Sequence, residues 1–268
     1  MSLAHPRELF AFLSQMDILP KKGLSQNFLI DANIIRKIVA SAGVTPNDRV
    51  LEIGSGPGAL TQELLQAGAT VISIEKDWTL ARALSRLQVE NRLQIYEDDF
   101  LQFPVEERLK HFAPLKVVAN LPYHIGTPII ERLCERGHLF SSAHIMVQKE
   151  VADRMVAKSG TKAISSFTIF LQMYCHPSIA MKVSRSCFYP APQVDSCVVR
   201  LDFRSPPIQD PKPVLAMIRR AFQQRRKMLR STLSIQQEPY ASLRPEALSL
   251  KDWLKVYLFF KKDDSTSL

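Results

Sequence analysis

Short apolar runs alternate with amphipathic stretches along the first two-thirds of the chain. Residues 49–53, 70–75, 93–96, 116–120 and 144–148 are such runs, rich in Val, Ile and Leu, and they predict strands. Between them, residues 59–67, 79–87 and 127–136 repeat apolar positions at helical spacing. Gly68 falls just past the first of these helices, where a C-terminal cap belongs. Strands alternating with helices predict a doubly wound, mostly parallel sheet covered on both faces. Residues 179–183 and 196–203 predict two further strands. The stretch 187–195, with Pro190 and Pro192, predicts a loop.

Residues 205–213 contain Pro206, Pro207, Pro211 and Pro213, which remove backbone donors and fix φ. This segment predicts a linker between a larger α/β domain, 1–205, and a small α-helical domain, 206–268. Within the latter, 214–233 and 250–260 are expected to be helices, with an irregular polar tail from 261 to 268.

The net charge of +9 is unevenly placed. Residues 204–268 carry 13 Lys/Arg against 6 Asp/Glu, and the first 203 residues carry 22 against 20. A basic C-terminal part on a nearly neutral body implies a polyanionic partner. No apolar run approaches the roughly 18 residues of a membrane helix, and residues 1–23 lack the pattern of a secretory leader. The four cysteines show no Cys-x-x-Cys spacing, so reduced thiols, a cytoplasmic setting and no metal site are expected.

Residues 50–58 run from an apolar strand into Gly54-Ser55-Gly56-Pro57-Gly58 and on to a helix. Glycines permit a tight turn and close backbone approach to a ligand, and the helix N-terminus attracts a carboxylate or a phosphate. Glu75, at the end of the next strand, can accept hydrogen bonds from both ribose hydroxyls. Asp99, after the third strand, can reach an adenine amine. By itself this half indicates an adenosine-containing cofactor and leaves NAD and S-adenosylmethionine both open.

At the end of the fourth strand stands Asn120-Leu121-Pro122-Tyr123. Strand C-termini face the ligand crevice in a doubly wound sheet. An amide oxygen and a proline carbonyl can each accept a hydrogen of an exocyclic base amine, and the Tyr123 ring can stack on the base. That set suits methylation of a poorly nucleophilic amine.

Together with Gln26-Asn27-Phe28-Leu29, Glu52-Ile53-Gly54 and Phe188-Tyr189-Pro190-Ala191-Pro192-Gln193-Val194-Asp195-Ser196, this motif resembles the rRNA adenine N6,N6-dimethyltransferases. The resemblance runs from about residue 24 to the basic stretch near 233. It implies a Rossmann-like class I methyltransferase fold, with S-adenosyl-L-methionine as cofactor. It also implies Asn27, Leu29, Gly54, Glu75, Asp99 and Asn120 as cofactor contacts. Asn120 and Pro122 would accept the target amine, with Tyr123 and Phe188 sandwiching the base. The chain departs from the family pattern at His124-Ile125-Gly126, at Ser25 where many members have glycine, and in the order of its glycine loop.

The basic stretch 218–233 suggests RNA contact. If it is one helix, Arg219, Arg226 and Arg230 share a face suited to phosphates. Lys149, Arg154 and Lys158, and Lys21 and Lys22, are further candidates. The implied partner is small-subunit rRNA within the assembling small ribosomal subunit, met by a monomer, with two adjacent adenosines of the terminal hairpin as targets. Two alternatives remain: an erythromycin-resistance-type methyltransferase of large-subunit rRNA, and a non-catalytic assembly or transcription factor on the same fold.

Overall fold

The computed structural model describes residues 3–265 except residue 90, without the side chains of residue 22 and residues 262–265. In chain order the elements are α1 (Pro6–Gln15), β1 (Phe28–Leu29), α2 (Ala32–Ser41), β2 (Arg49–Ile53), α3 (Ala59–Gln66), β3 (Thr70–Glu75), α4 (Trp78–Leu84), β4 (Leu93–Glu97), α5 (Val105–Leu109), β5 (Leu115–Asn120), α6 (Gly126–Glu135) and β6 (Phe140–Gln148). There follow α7 (Lys149–Met155), α8 (Ser166–Tyr174), β7 (Cys175–Val183), β8 (Phe188–Tyr189), β9 (Ser196–Phe203), α9 (Lys212–Gln223), α10 (Leu229–Thr232) and α11 (Leu250–Ser265). The sequence-predicted tail thus begins inside α11, and residues 266–268 lie outside the described residues.

A seven-stranded sheet runs in the order β4-β3-β2-β5-β6-β9-β7. The pairings from β4 through to β6 are parallel, whereas β6 and β9 are antiparallel, with Ile145 opposite Val199. Central strands bury both faces, and Leu51, Ile72 and Val117 are fully buried, as a sheet covered on both sides requires. Strand β7 is longer than predicted and contains Pro177. It ends the strand order, and an edge strand tolerates a missing ladder donor. Two-residue strands β1 and β8 pair separately, so the predicted proline loop includes a short strand.

The chain divides into two compact units, Met1–Ala152 with Ser178–Phe203, and Asp153–Pro177 with Arg204–Leu268. The second unit therefore takes in a segment that the linker-based reading left in the first domain.

Within the second unit, the predicted single helix over 214–233 is not formed. Helix α9 ends at Gln223, residues 224–228 turn, and α10 begins at Leu229. The reason lies in periodicity. A continuing helix would put Arg225, seven residues after the buried Ile218, on the packed face. Instead, Arg225 leaves that face and pairs with Glu246 at 3.2 Å and with the Lys162 carbonyl at 3.1 Å. Arg219, Arg226 and Arg230 are all exposed, but they do not share one helical face.

Candidate active site

One cavity collects Asn27, Leu29, Gly54, Glu75, Asp99, Asn120, Pro122 and Tyr123, eight positions singled out by sequence. All lie in the first unit, at the carboxyl ends of β2, β3, β4 and β5, and on the segment before α2. Parallel strands starting in register end in register, which brings residues far apart in sequence to one rim.

The loop after β2 has Gly54 at φ +72 and Gly56 at φ +56, a region that L side chains disfavour. A Cβ at Gly56 would also lie 3.2 Å from the Phe28 ring, and one at Gly54 would lie 3.4 Å from Pro122 Cδ. The loop is thereby packed against both the N-terminal segment and the Asn-Leu-Pro-Tyr turn.

Glu75 is 6% exposed. Its Oε2 accepts from the Gly56 N–H at 2.8 Å and its Oε1 from the Asp77 N–H at 2.8 Å. A carboxylate has about four acceptor sites, so each oxygen keeps one for a ligand hydroxyl. Burial raises its pKa above the ordinary carboxylate value, against the pull of these two amides. Asp99 is pushed up by burial, but the Lys76 ammonium at 2.8 Å and the Leu101 N–H outweigh that and hold it low.

The Asn120 side chain donates from Nδ2 to the Asn27 carbonyl at 3.0 Å. This turns the amide so that its oxygen is the end left for a ligand. The Pro122 carbonyl accepts the Ile125 N–H at 3.2 Å, and a carbonyl has a second lone pair. Tyr123 lies half-buried, its hydroxyl 2.8 Å from that of Ser196, and burial raises its pKa.

The segment bearing Asn27 is strapped down. Lys21 Nζ lies 2.9 Å from Asp77 Oδ2, and Gln26 Nε2 donates to the same oxygen at 2.9 Å. Lys21 is thus committed to Asp77, the N-cap of α4, while the side chain of Lys22 lies outside the described residues.

Phe188 does not line the cavity. Its side chain is 3% exposed, packed among Phe28, Leu29 and neighbouring core residues, with its backbone opposite Leu29. The exposed aromatic of that pair is Tyr189, 36% exposed and edge-on to Phe10 at 4.6 Å. Lys149 is exposed at the start of α7.

Sequence reasoning gave no role to Glu52 and Ser196. Glu52 lines the cavity, is 1% exposed, accepts from Thr61 Oγ1 at 2.6 Å, and is raised by burial to about 7. Its signal was an acid within a run of apolar strand residues.

A twisted parallel sheet with a glycine loop, an acid after its second strand in sequence order and an amide-proline-aromatic turn after its fourth defines the methyltransferase class. The ribosomal RNA adenine dimethylase family model matches residues 19–244, and the chain belongs to that family. It is 50% identical to a ribosomal RNA small subunit methyltransferase A of Protochlamydia amoebophila, covering 96% of this chain and 97% of that one. Among solved structures, it resembles a dimethyladenosine transferase from Plasmodium falciparum, with TM-score 0.76 and 28% identity over 88% of this chain and 98% of that one. It also resembles the 23S rRNA methyltransferase ErmE, with TM-score 0.67 and 25% identity over 87% and 98%.

Proposed function

We propose that this protein uses S-adenosyl-L-methionine to dimethylate the N6 amines of two adjacent adenosines in the 3′-terminal hairpin of small-subunit rRNA, in the cytoplasm during subunit assembly. The observation that carries the reading is the Asn120 amide, held by the Asn27 carbonyl with its oxygen left to accept, beside Pro122 and Tyr123.

The cavity residues fit an adenosine-bearing methyl donor. Glu75 keeps acceptors for the two ribose hydroxyls, and Asp99 keeps acceptors for the adenine amine. Asn27, Leu29 and Gly54 lie along the same cavity wall. The bound cofactor supplies a methyl group already activated by its positive sulfur.

The chain's residues then supply position and charge. Asn120 Oδ1 and the Pro122 carbonyl each accept one hydrogen of the adenine amine, which favours a tetrahedral nitrogen with its lone pair free. Tyr123 stacks on the base and keeps that lone pair in line. As the new bond forms the nitrogen becomes positive, and the same oxygens face that charge. Its proton then leaves to water without a strong base. A monomethylated amine has one hydrogen left, so a second transfer needs only one of the two acceptors.

RNA contact is assigned to Lys149 on the first unit and to Arg219, Arg226 and Arg230 on the second, with the protein acting as a monomer. The likeness to ErmE supports a second reading, a single target in large-subunit rRNA. Incubation with labelled S-adenosylmethionine and small subunits from cells lacking the modification tests both. Label on two adjacent adenosines of the small-subunit terminal hairpin is the expected result. Label only in added large-subunit RNA would overturn it.

A further inference from the structure

The second unit holds a groove of about 610 Å³, made by the loop after α7, the end of α8, the start of β7, Arg204 and the first turns of α11. That volume falls within the roughly 300–1,000 Å³ range of ligand sites. Its charged lining is one-signed. Lys158, Arg204 and Lys251 face it together with His176, and no carboxylate among the described residues does. No ion pair among the described residues involves any of the three cations.

Arg204 is built in. Its backbone N–H donates to the Tyr174 carbonyl at 2.8 Å, its Nη2 donates to the Gln172 carbonyl, and its Nη1 lies 3.5 Å from His176 Nε2. Its Nε is buried without a partner. Helix α11 opens into the same groove at Ser249, so backbone amides add partial positive charge. Asp252 in the first turn of that helix caps it, accepting from the Ser249 hydroxyl at 2.6 Å, and does not line the groove.

Such a groove demands an anion. The rest of its lining narrows the choice, because it contains aliphatic side chains, prolines, Ser159 and Gln172 but, among the described residues, no Phe, Tyr or Trp, and its one ring, the His176 imidazole, lies against Arg204. A site that reads single-stranded bases needs stacking faces, whereas one that follows a sugar–phosphate backbone needs spaced cations and hydroxyl partners.

We propose that this groove is a second RNA-docking site, which binds consecutive backbone phosphates of an RNA segment other than the methylated bases. It is distinct from Arg219, Arg226 and Arg230, none of which lines it. The proposal rests on the reading of the protein as an rRNA enzyme only for the identity of the RNA.

The test uses the full chain with Lys158 and Lys251 both changed to Gln. Both side chains are exposed, and the replacements remove charge without disturbing Arg204. Lys255→Gln, exposed on α11 outside the groove, is the control. Binding of a fluorescein-labelled RNA hairpin is followed by anisotropy over a range of KCl concentrations. The double variant is expected to lose affinity roughly tenfold or more at low salt, and the slope of log affinity against log salt to shrink by roughly 0.7–0.9 for each lost contact. S-adenosylmethionine affinity stays unchanged, and Lys255→Gln behaves as wild type.

Lysine acetylation read by mass spectrometry gives a second measure: RNA should protect Lys158 and Lys251 more than Lys255. An unaltered salt slope with equal acetylation of the three lysines overturns the proposal, even if the wild type methylates its RNA normally. So does a loss of affinity for assembled subunits with none for naked RNA, because the groove then meets a protein.

Discussion

The Tyr123 hydroxyl lies 2.8 Å from the Ser196 hydroxyl, joining the turn after β5 to the first residue of β9 across 73 positions of chain. Ser196 is fully buried. The tyrosine ring is therefore aimed by a partner as well as by its own backbone. Stacking needs only the ring, so Tyr123→Ala should be severe, losing roughly 1–3 kcal/mol of base stacking. The hydroxyl adds a smaller effect. Tyr123→Phe and Ser196→Ala should each slow single-turnover methylation by up to about tenfold, as loss of one neutral hydrogen bond allows. The double variant should be no slower than either alone, because both remove the same bond. Fully additive losses would detach Ser196 from Tyr123.

Glu75 carries two loads, and its replacement should show both. Glu75→Ala removes an acceptor proposed for the ribose, weakening S-adenosylmethionine by on the order of 1.5–3 kcal/mol in calorimetry. It also strands the Gly56 and Asp77 amides beside an empty space, so the protein without cofactor should melt at a lower temperature. Unchanged cofactor affinity with lowered melting would leave Glu75 a purely structural acid.

The strands and the cavity rim were legible because they rest on local signals: apolar runs for the sheet, and glycines, acids and the Asn-Leu-Pro-Tyr turn at strand ends. What escaped depends on tertiary packing. Helix α8 is buried on most sides, so it has no polar face to give it a period. Residues 218–233 have helical composition, yet the need to keep Arg225 off the core breaks them after Gln223. The burial of Phe188, expected as a stacking ring in a proline loop, depends on its long-range pairing with Leu29, which the local sequence does not announce. Ser25 shows the reverse case, a departure from the family pattern that the backbone explains. Its φ of +49 is the left-handed conformation that glycine adopts freely. Ser25→Gly should therefore be neutral or stabilise the fold by about 1 kcal/mol. Ser25→Val should lower the melting temperature, and the reverse order would deny strain at this position.

Two buried groups set opposing pH dependences. Glu52 is raised to about 7, so folding holds its proton, and the stability it contributes is complete below 4.5 and lost as pH rises towards 7. His144, 3% exposed in the sheet, is lowered by burial to about 4. Its contribution is complete above 6.5 and lost as pH falls towards 4. Each is worth on the order of 3 kcal/mol over its full range. Between about pH 4.5 and 6.5 the two slopes cancel. Glu52→Gln should remove one downward slope, giving a urea midpoint that climbs with pH across this window relative to the wild type, whose Glu75, also raised by burial, slopes the same way in both proteins. Parallel pH profiles for the two proteins would mean that Glu52 is ionised at all these pH values.

Asn120 bears the chemistry most directly. Its Nδ2 is committed to the Asn27 carbonyl, so the oxygen has one orientation, fixed before substrate arrives. A preorganised group that faces developing charge is typically worth a hundred- to a thousandfold in rate. Asn120→Ala should therefore lose about that factor in single-turnover methylation of unmodified small subunits. RNA affinity should stay close to wild type, because the amide meets one amine and not the backbone. Asn120→Asp separates the two halves of the argument. Its carboxylate still accepts from the amine, but it cannot donate to the Asn27 carbonyl and would face that oxygen repulsively. It should bind cofactor less well and recover only part of the rate lost in the alanine variant. Near-normal turnover by Asn120→Ala would remove the amine-acceptor mechanism altogether. Full activity in Asn120→Asp would show that the anchor to Asn27 is dispensable, and that acceptance alone governs the transfer.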